Sequence, residues 1–123
     1  MGGDIMFSGQ PNSSEIICGS ATATGTLITI PAGKWYTGTL TVGASVAAAG
    51  NSAPTVTTAG TNVAPAANSI IGKVAINGLL ATTVVDSTTT DIIVLAPPEN
   101  DVTLQFTAGA NGTSYAFVNG FVF

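Results

Sequence analysis

The feature that most constrains this chain is alternation. In residues 35–42, WYTGTLTV, the side chains of Tyr36, Gly38, Leu40 and Val42 fall on one side and those of Thr37, Thr39 and Thr41 on the other. Val102, Leu104 and Phe106 alternate with Thr103, Gln105 and Thr107. At the end of the chain, Tyr115, Phe117, Asn119, Phe121 and Phe123 alternate with Ala116, Val118, Gly120 and Val122. A repeat of two is that of a pleated strand, and a helical repeat of 3.6 recurs nowhere with comparable strength. β-Branched threonine suits a pleated, half-wet face, so these segments read as antiparallel strands with one side turned inward.

Further strands are expected over 15–20, 25–30, 45–49, 55–59, 70–77, around 84–85 and over 91–95. Turn residues separate them: Pro31-Ala32-Gly33, Gly50-Asn51-Ser52, Asn77-Gly78, Pro97-Pro98-Glu99-Asn100 and Asn111-Gly112. A helix could form over 64–69 but nothing requires one, and the pattern is weakest over 43–67. The fold class that follows is all-β: an antiparallel β-sandwich, jelly-roll-like, with about eight to ten short strands. The expected core is Ile28, Ile30, Tyr36, Leu40, Val42, Val74, Ile76, Val94, Leu104, Phe106, Phe117 and Phe121, with some of these buried only between subunits.

The 123 residues suit one domain. We assign it to 15–123, after a flexible N-terminal arm over 1–14. That arm holds one apolar island, Ile5-Met6-Phe7. It is either a disordered start or a segment that plugs a neighbouring subunit, which makes Ile5, Met6 and Phe7 candidate assembly contacts.

Charge decides which partners are excluded. Only 7% of residues are charged, against about 25% in an average globular chain, while 46% are hydrophobic. Lys34 and Lys73 are the sole basic side chains, and the net charge is −4. No basic stripe exists to neutralise phosphates, so nucleic acid is not an expected partner. An anionic membrane surface is excluded on the same ground, and no apolar run is long enough to form a spanning helix. The opening residues show no cationic start followed by an apolar core, so synthesis in the cytoplasm is expected. Sparse charge also means little repulsion between copies, which points to a homo-oligomer.

The chemistry of catalysis is mostly missing. Without His there is no Ser-His or Cys-His pair and no imidazole metal site; without Arg there is no bidentate phosphate clamp. Phosphate-cradling glycine motifs are absent as well. Carboxylates remain: Asp86 and Asp91, expected to flank a turn over 87–90, and Glu99 and Asp101 around Asn100. The first two could form a glycosidase pair and the second two could offer oxygens to Ca²⁺, but both read as solvated turn residues. No enzymatic activity, cofactor or metal is expected. Cys18, in the run Ile16-Ile17-Cys18, reads as a small buried hydrophobe, with an intermolecular bridge or reactive thiol as the alternative. Tyr36 reads as core. Trp35 is a candidate surface aromatic contact, capping a sheet or subunit joint, or else stacking a sugar. The Thr-x-Thr runs at 22–26 and 37–41 lack the regular repeat of an ice-binding face. The terminal Phe123 lacks enough lipid-facing strand for an outer-membrane barrel.

Residues 26–38, TLITIPAGKWYTG, read as a strand, a proline-glycine corner and an aromatic-led second strand. With the low charge and the Thr/Ala/Gly-rich faces, the stretch 20–123 resembles the small β-sandwich decoration (cement) proteins of tailed-bacteriophage capsids. In texture it also resembles the tip domains of phage tailspikes and fibres. The resemblance implies a homotrimeric virion protein, made in the host cytoplasm, that binds the major capsid protein on the outer capsid surface. It carries over no catalytic residue. The alternative is a fibre tip or other receptor module that binds a host glycan, and a non-viral adhesin is a third reading. An acidic chain suits the outside of a shell, where it never meets the packaged genome.

Overall fold

The computed structural model describes residues 15–47, 50–79 and 82–123. Ile5, Met6 and Phe7, and with them the expected arm over 1–14, lie outside the described residues. Among the described residues ten strands follow in order: β1 Glu15–Ala21, β2 Gly25–Ile30, β3 Trp35–Val46, β4 Gly50–Ser52, β5 Thr55–Ala59, β6 Ile70–Lys73, β7 Ile76–Gly78, β8 Val84–Leu95, β9 Val102–Thr107 and β10 Thr113–Val122. They form two four-stranded sheets, β1-β10-β3-β8 and β2-β9-β5-β6, and a small β4-β7 pair. Every pairing is antiparallel, and the whole is consistent with a β-sandwich.

The alternating segments become strands as expected, and several boundaries move. The strand expected over 45–49 is instead the far end of β3, which runs unbroken to Val46. Residues 87–90, expected as a turn, lie inside the twelve-residue β8. Ser87-Thr88-Thr89-Thr90 contains no glycine or proline, and its four residues pair along β3 from Gly43 to Leu40. The expected strand over 70–77 breaks after Lys73, and Asn77-Gly78 sits in β7 rather than in a turn. No helix forms over 64–69; that segment is a loop tied to β5, where Thr58 Oγ1 donates to the Ala66 carbonyl at 2.8 Å and the Asn68 amide donates to the Thr58 carbonyl at 2.8 Å. Gly112, at φ 68°, turns the chain into β10 in the left-handed region that glycine enters without penalty.

The core lies between the two large sheets. Ile28, Ile30, Tyr36, Leu40, Val42, Val74, Ile76, Val94, Leu104 and Phe106 are buried, as expected. Phe117 and Phe121 are not: they are 39% and 43% exposed, and β10 turns Ala116, Val118 and Val122 inward instead. The physical reason is space. The Tyr36 ring crosses beneath β10, and its hydroxyl donates to the Ile17 carbonyl at 2.7 Å. A methyl group on Gly120 would come within 2.7 Å of that ring, and one on Gly19 within 2.6 Å of Ile28 Cγ2. The interior beneath β1 and β10 is already filled by Tyr36 and Ile28. Only small or β-branched residues fit on the inward side of β10, and the large aromatic rings are turned out.

Candidate functional site

The outward face of the β1-β10-β3-β8 sheet is where this chain departs from an ordinary sandwich surface. Register sets its rows. Ile16, Phe121, Thr37 and Ile93 lie side by side across the four strands; the next row is Cys18, Asn119, Thr39 and Asp91; the next is Ser20, Phe117, Thr41 and Thr89. Tyr115 follows, opposite Gly43, and its ring occupies the space a β-carbon at Gly43 would need. Beyond the first row, Trp35 and Phe123 exchange two backbone hydrogen bonds of 3.0 Å.

Two aromatic groups result. Tyr115 and Phe117 stack almost parallel, centroids 6.0 Å apart and planes at 7°. Phe121 packs against Phe123 at 5.8 Å, and Phe123 against Trp35 at 6.1 Å. Ile16 and Ile93 flank Phe121 and are exposed. Beside this second group lies a shallow trough of about 620 Å³, with Cys18, Asn119, Thr39 and Asp91 among its lining residues. Its hydrogen-bonding groups are few: Thr39 Oγ1 donates to Asp91 Oδ1 at 3.5 Å, and the hydroxyls of Thr41 and Thr89 pair at 3.0 Å one row on.

Of the residues singled out from the sequence, all but Ile5, Met6 and Phe7 lie among the described residues. Cys18 is exposed, not buried, because on β1 it is Ile17 that packs against the core, so alternation puts Cys18 outside. Tyr36 is fully buried, and desolvation by that burial, with a smaller contribution from the Cys18 thiol, pushes its phenol from 10.0 up to about 12. Trp35 sits at the rim of the aromatic face, half exposed. Asp86 and Asp91 share β8 five residues apart, which puts their side chains on opposite faces, so the paired-carboxylate arrangement is not formed. Asp86 Oδ1 instead accepts from the Ser87 amide at 2.8 Å. Asp101 Oδ1 accepts from the Ala32 amide at 2.9 Å and ties the loop before β9 to the turn after β2, while Glu99 is exposed. Among the described residues, no three Asp, Glu, Cys or His side chains gather as a metal site would require.

The expectation that Phe117 and Phe121 belong to the core hid the aromatic face. The available signal was that β10 is apolar on both sides, small residues opposite large ones. Searches of protein-family models, curated proteins and solved structures give no match to this chain.

Proposed function

We propose that this chain is a structural virion protein, a homotrimeric decoration (cement) protein that binds the major capsid protein and braces the outer surface of a phage head. The observation that carries the proposal is the open aromatic face: a rigid sandwich presents a broad apolar surface on one sheet, as a protein that works by packing against other proteins must. Cement acts by adding buried area across joints between shell subunits, and it needs shape and apolar contact rather than a reactive group.

Strand order supports a jelly-roll reading. With β4 and β7 set aside and the remaining strands numbered one to eight, the sheets run 1-8-3-6 and 2-7-4-5. Every successive pair except 4-5 crosses from one sheet to the other, in keeping with the double Greek-key winding of jelly rolls, an architecture shared by viral shells and lectins. The scarcity of cations suits an outer position, away from the genome.

The test is reconstitution. Purified protein mixed with particles that lack it should pellet with them, saturating at a copy number comparable to that of the major shell protein. Failure to bind any particle would overturn the proposal. One feature favours a second reading, a fibre tip or receptor module that binds a host glycan. Asp91, Asn119 and Thr39 offer hydrogen bonds beside Phe121, the mix of flat aromatic and polar groups on which a sugar ring stacks. Attachment in a few copies per particle, with glycan binding lost in Phe121→Ala, would select that reading instead.

A further inference from the structure

We infer that the outward face of the β1-β10-β3-β8 sheet is covered by a second copy of this chain, whose Tyr115-Phe117 ridge seats in the trough bordered by Cys18 and Asp91. The inference rests on the reading above that the chain acts by assembly, and it names the partner at that face.

Area is the first argument. Ile16, Trp35, Ile93, Tyr115, Phe117, Phe121 and Phe123 are all exposed on or at the rim of this face. With large side chains contributing roughly 150–250 Å² each when whole, their exposed parts sum to something on the order of 700 Å². A typical monomer's largest apolar patch is about 300–600 Å², and a standard interface takes about 800 Å² from each partner. Closed around a threefold axis, each copy buries a face of this size against its two neighbours, close to what one partner gives to a standard interface.

Charge is the second. Among the described residues, Asp91 is the one ionisable carboxylate whose side chain lies in these rows, and no cation joins it. Lys34 lies in the turn before β3, and Lys73 ends β6 in the other sheet. A partner selected by charge would find almost nothing to read here. A second copy meets an equally cation-free surface. The Tyr115 ring lies over Gly43 and is partly exposed beside Phe117, and the trough is lined by Ile16, Ile93 and Phe121 together with the Asp91 carboxylate and the Asn119 amide. Ridge and trough are different patches on the same face, so each copy can supply one and receive the other.

The experiment uses Cys18, the only cysteine in the chain, as a reporter inside the trough. Sedimentation velocity over a concentration series is paired with alkylation of Cys18 by iodoacetamide, in the wild type and in the exposed ridge variants Phe117→Ser and Tyr115→Ser. These leave the charge near the thiol unchanged, and the second serves if the first does not fold. The expected result is an associated wild type whose Cys18 reacts about tenfold more slowly than in a ridge variant, tracking the fraction of free protomer, and ridge variants that sediment as folded monomers. A wild type that stays monomeric with a freely reactive Cys18 overturns the inference, as does an oligomer whose Cys18 remains fully reactive. A Cys18 that is reactive in the isolated protein and shielded only on particles gives the face to the shell protein, which overturns the inference and leaves the decoration role standing. Shielding in solution without binding to any particle upholds the inference and removes that role.

Discussion

The two sheets share one core and end in opposite outer faces. On β2-β9-β5-β6 the outward residues include Thr26, Thr103, Gln105 and Thr57, and Gln105 Nε2 donates to both Thr26 Oγ1 and Thr103 Oγ1 at 2.8 Å. Apart from Ile70 on β6, which is exposed beside Thr57, the groups named on that surface are polar and locally paired. On β1-β10-β3-β8 the corresponding positions hold Phe117, Phe121 and Tyr115, with Ile16 and Ile93 on the flanking strands. The core needs only one face of each sheet, and Tyr36, Phe106, Leu104 and their neighbours already fill it. Most of the exposed large apolar residues are gathered on the β1-β10-β3-β8 face, with Ile70 and Leu79 elsewhere. If a second copy covers that face, as proposed above, the apolar excess marks an interface rather than a larger interior.

The sharpest way to break this comparison is to truncate one phenylalanine from each environment. Phe106, fully buried between the sheets, should cost about 3–5 kcal/mol on replacement by alanine. Phe117→Ala, measured at a concentration where the protein is dissociated, should cost less than about 1 kcal/mol, since its ring is partly in water. Denaturant midpoints decide it, and equal losses at the two sites would mean that the outer face is not open.

Tyr36 extends the contrast to the two sides of one sheet. Its folded pKa of about 12 lies above the value near 10 of the unfolded chain, so burial of the neutral phenol stabilises the fold fully below pH 10. That contribution should disappear as pH rises through about 12. Tyr36→Phe should remove this alkaline dependence at the expense of the hydrogen bond to the Ile17 carbonyl, about 1 kcal/mol. Urea denaturation at a series of alkaline pH values reads both effects.

A carboxylate placed on each outer face in turn sharpens the difference between them. Thr39→Glu sets a second negative charge beside Asp91 in the trough and should weaken self-association by about tenfold or more, because the charge would be desolvated in the contact. Gln105→Glu, on the threonine face, should leave the association constant unchanged. Sedimentation equilibrium separates the two, and equal effects would remove the distinction between faces. The smallest effect belongs to the shared interior. Ser52 Oγ is buried without a hydrogen-bond partner, so Ser52→Ala should shift stability by no more than about 0.5 kcal/mol, with neutrality or a slight gain expected. A clear loss in a thermal melt would show that the hydroxyl has a partner after all.

Most of the architecture was legible in the sequence, since alternation reports the inward side wherever the opposite side is polar. β3 and β9 gave the right face because Thr37, Thr39, Thr103 and Gln105 oppose Leu40 and Phe106. β10 gave the wrong one because both of its sides are apolar, and the deciding fact is the Tyr36 ring beneath Gly120, a contact between distant segments that no local pattern encodes. Cys18 was misplaced for a similar reason, as Ile16, Ile17 and Cys18 are all apolar and only pairing with β10 shows which of them faces out. The length of β8 was hidden by Asp86 and Asp91, which resemble turn residues but sit in a strand held along its whole length by β3. Of the candidate site only Trp35 was in view as a surface aromatic contact, while Phe117 and Phe121 were read as core.

The central claim, that this protein functions by packing its aromatic face and leaving its threonine face in water, is tested most directly by comparing density maps of phage particles with and without it. The account predicts additional threefold density on the outer shell, with the β1-β10-β3-β8 sheets turned toward one another around the axis and the β2-β9-β5-β6 sheets toward solvent. Particles that show no added density, or added density in which the threonine face makes the contacts and the aromatic face lies open, would contradict it.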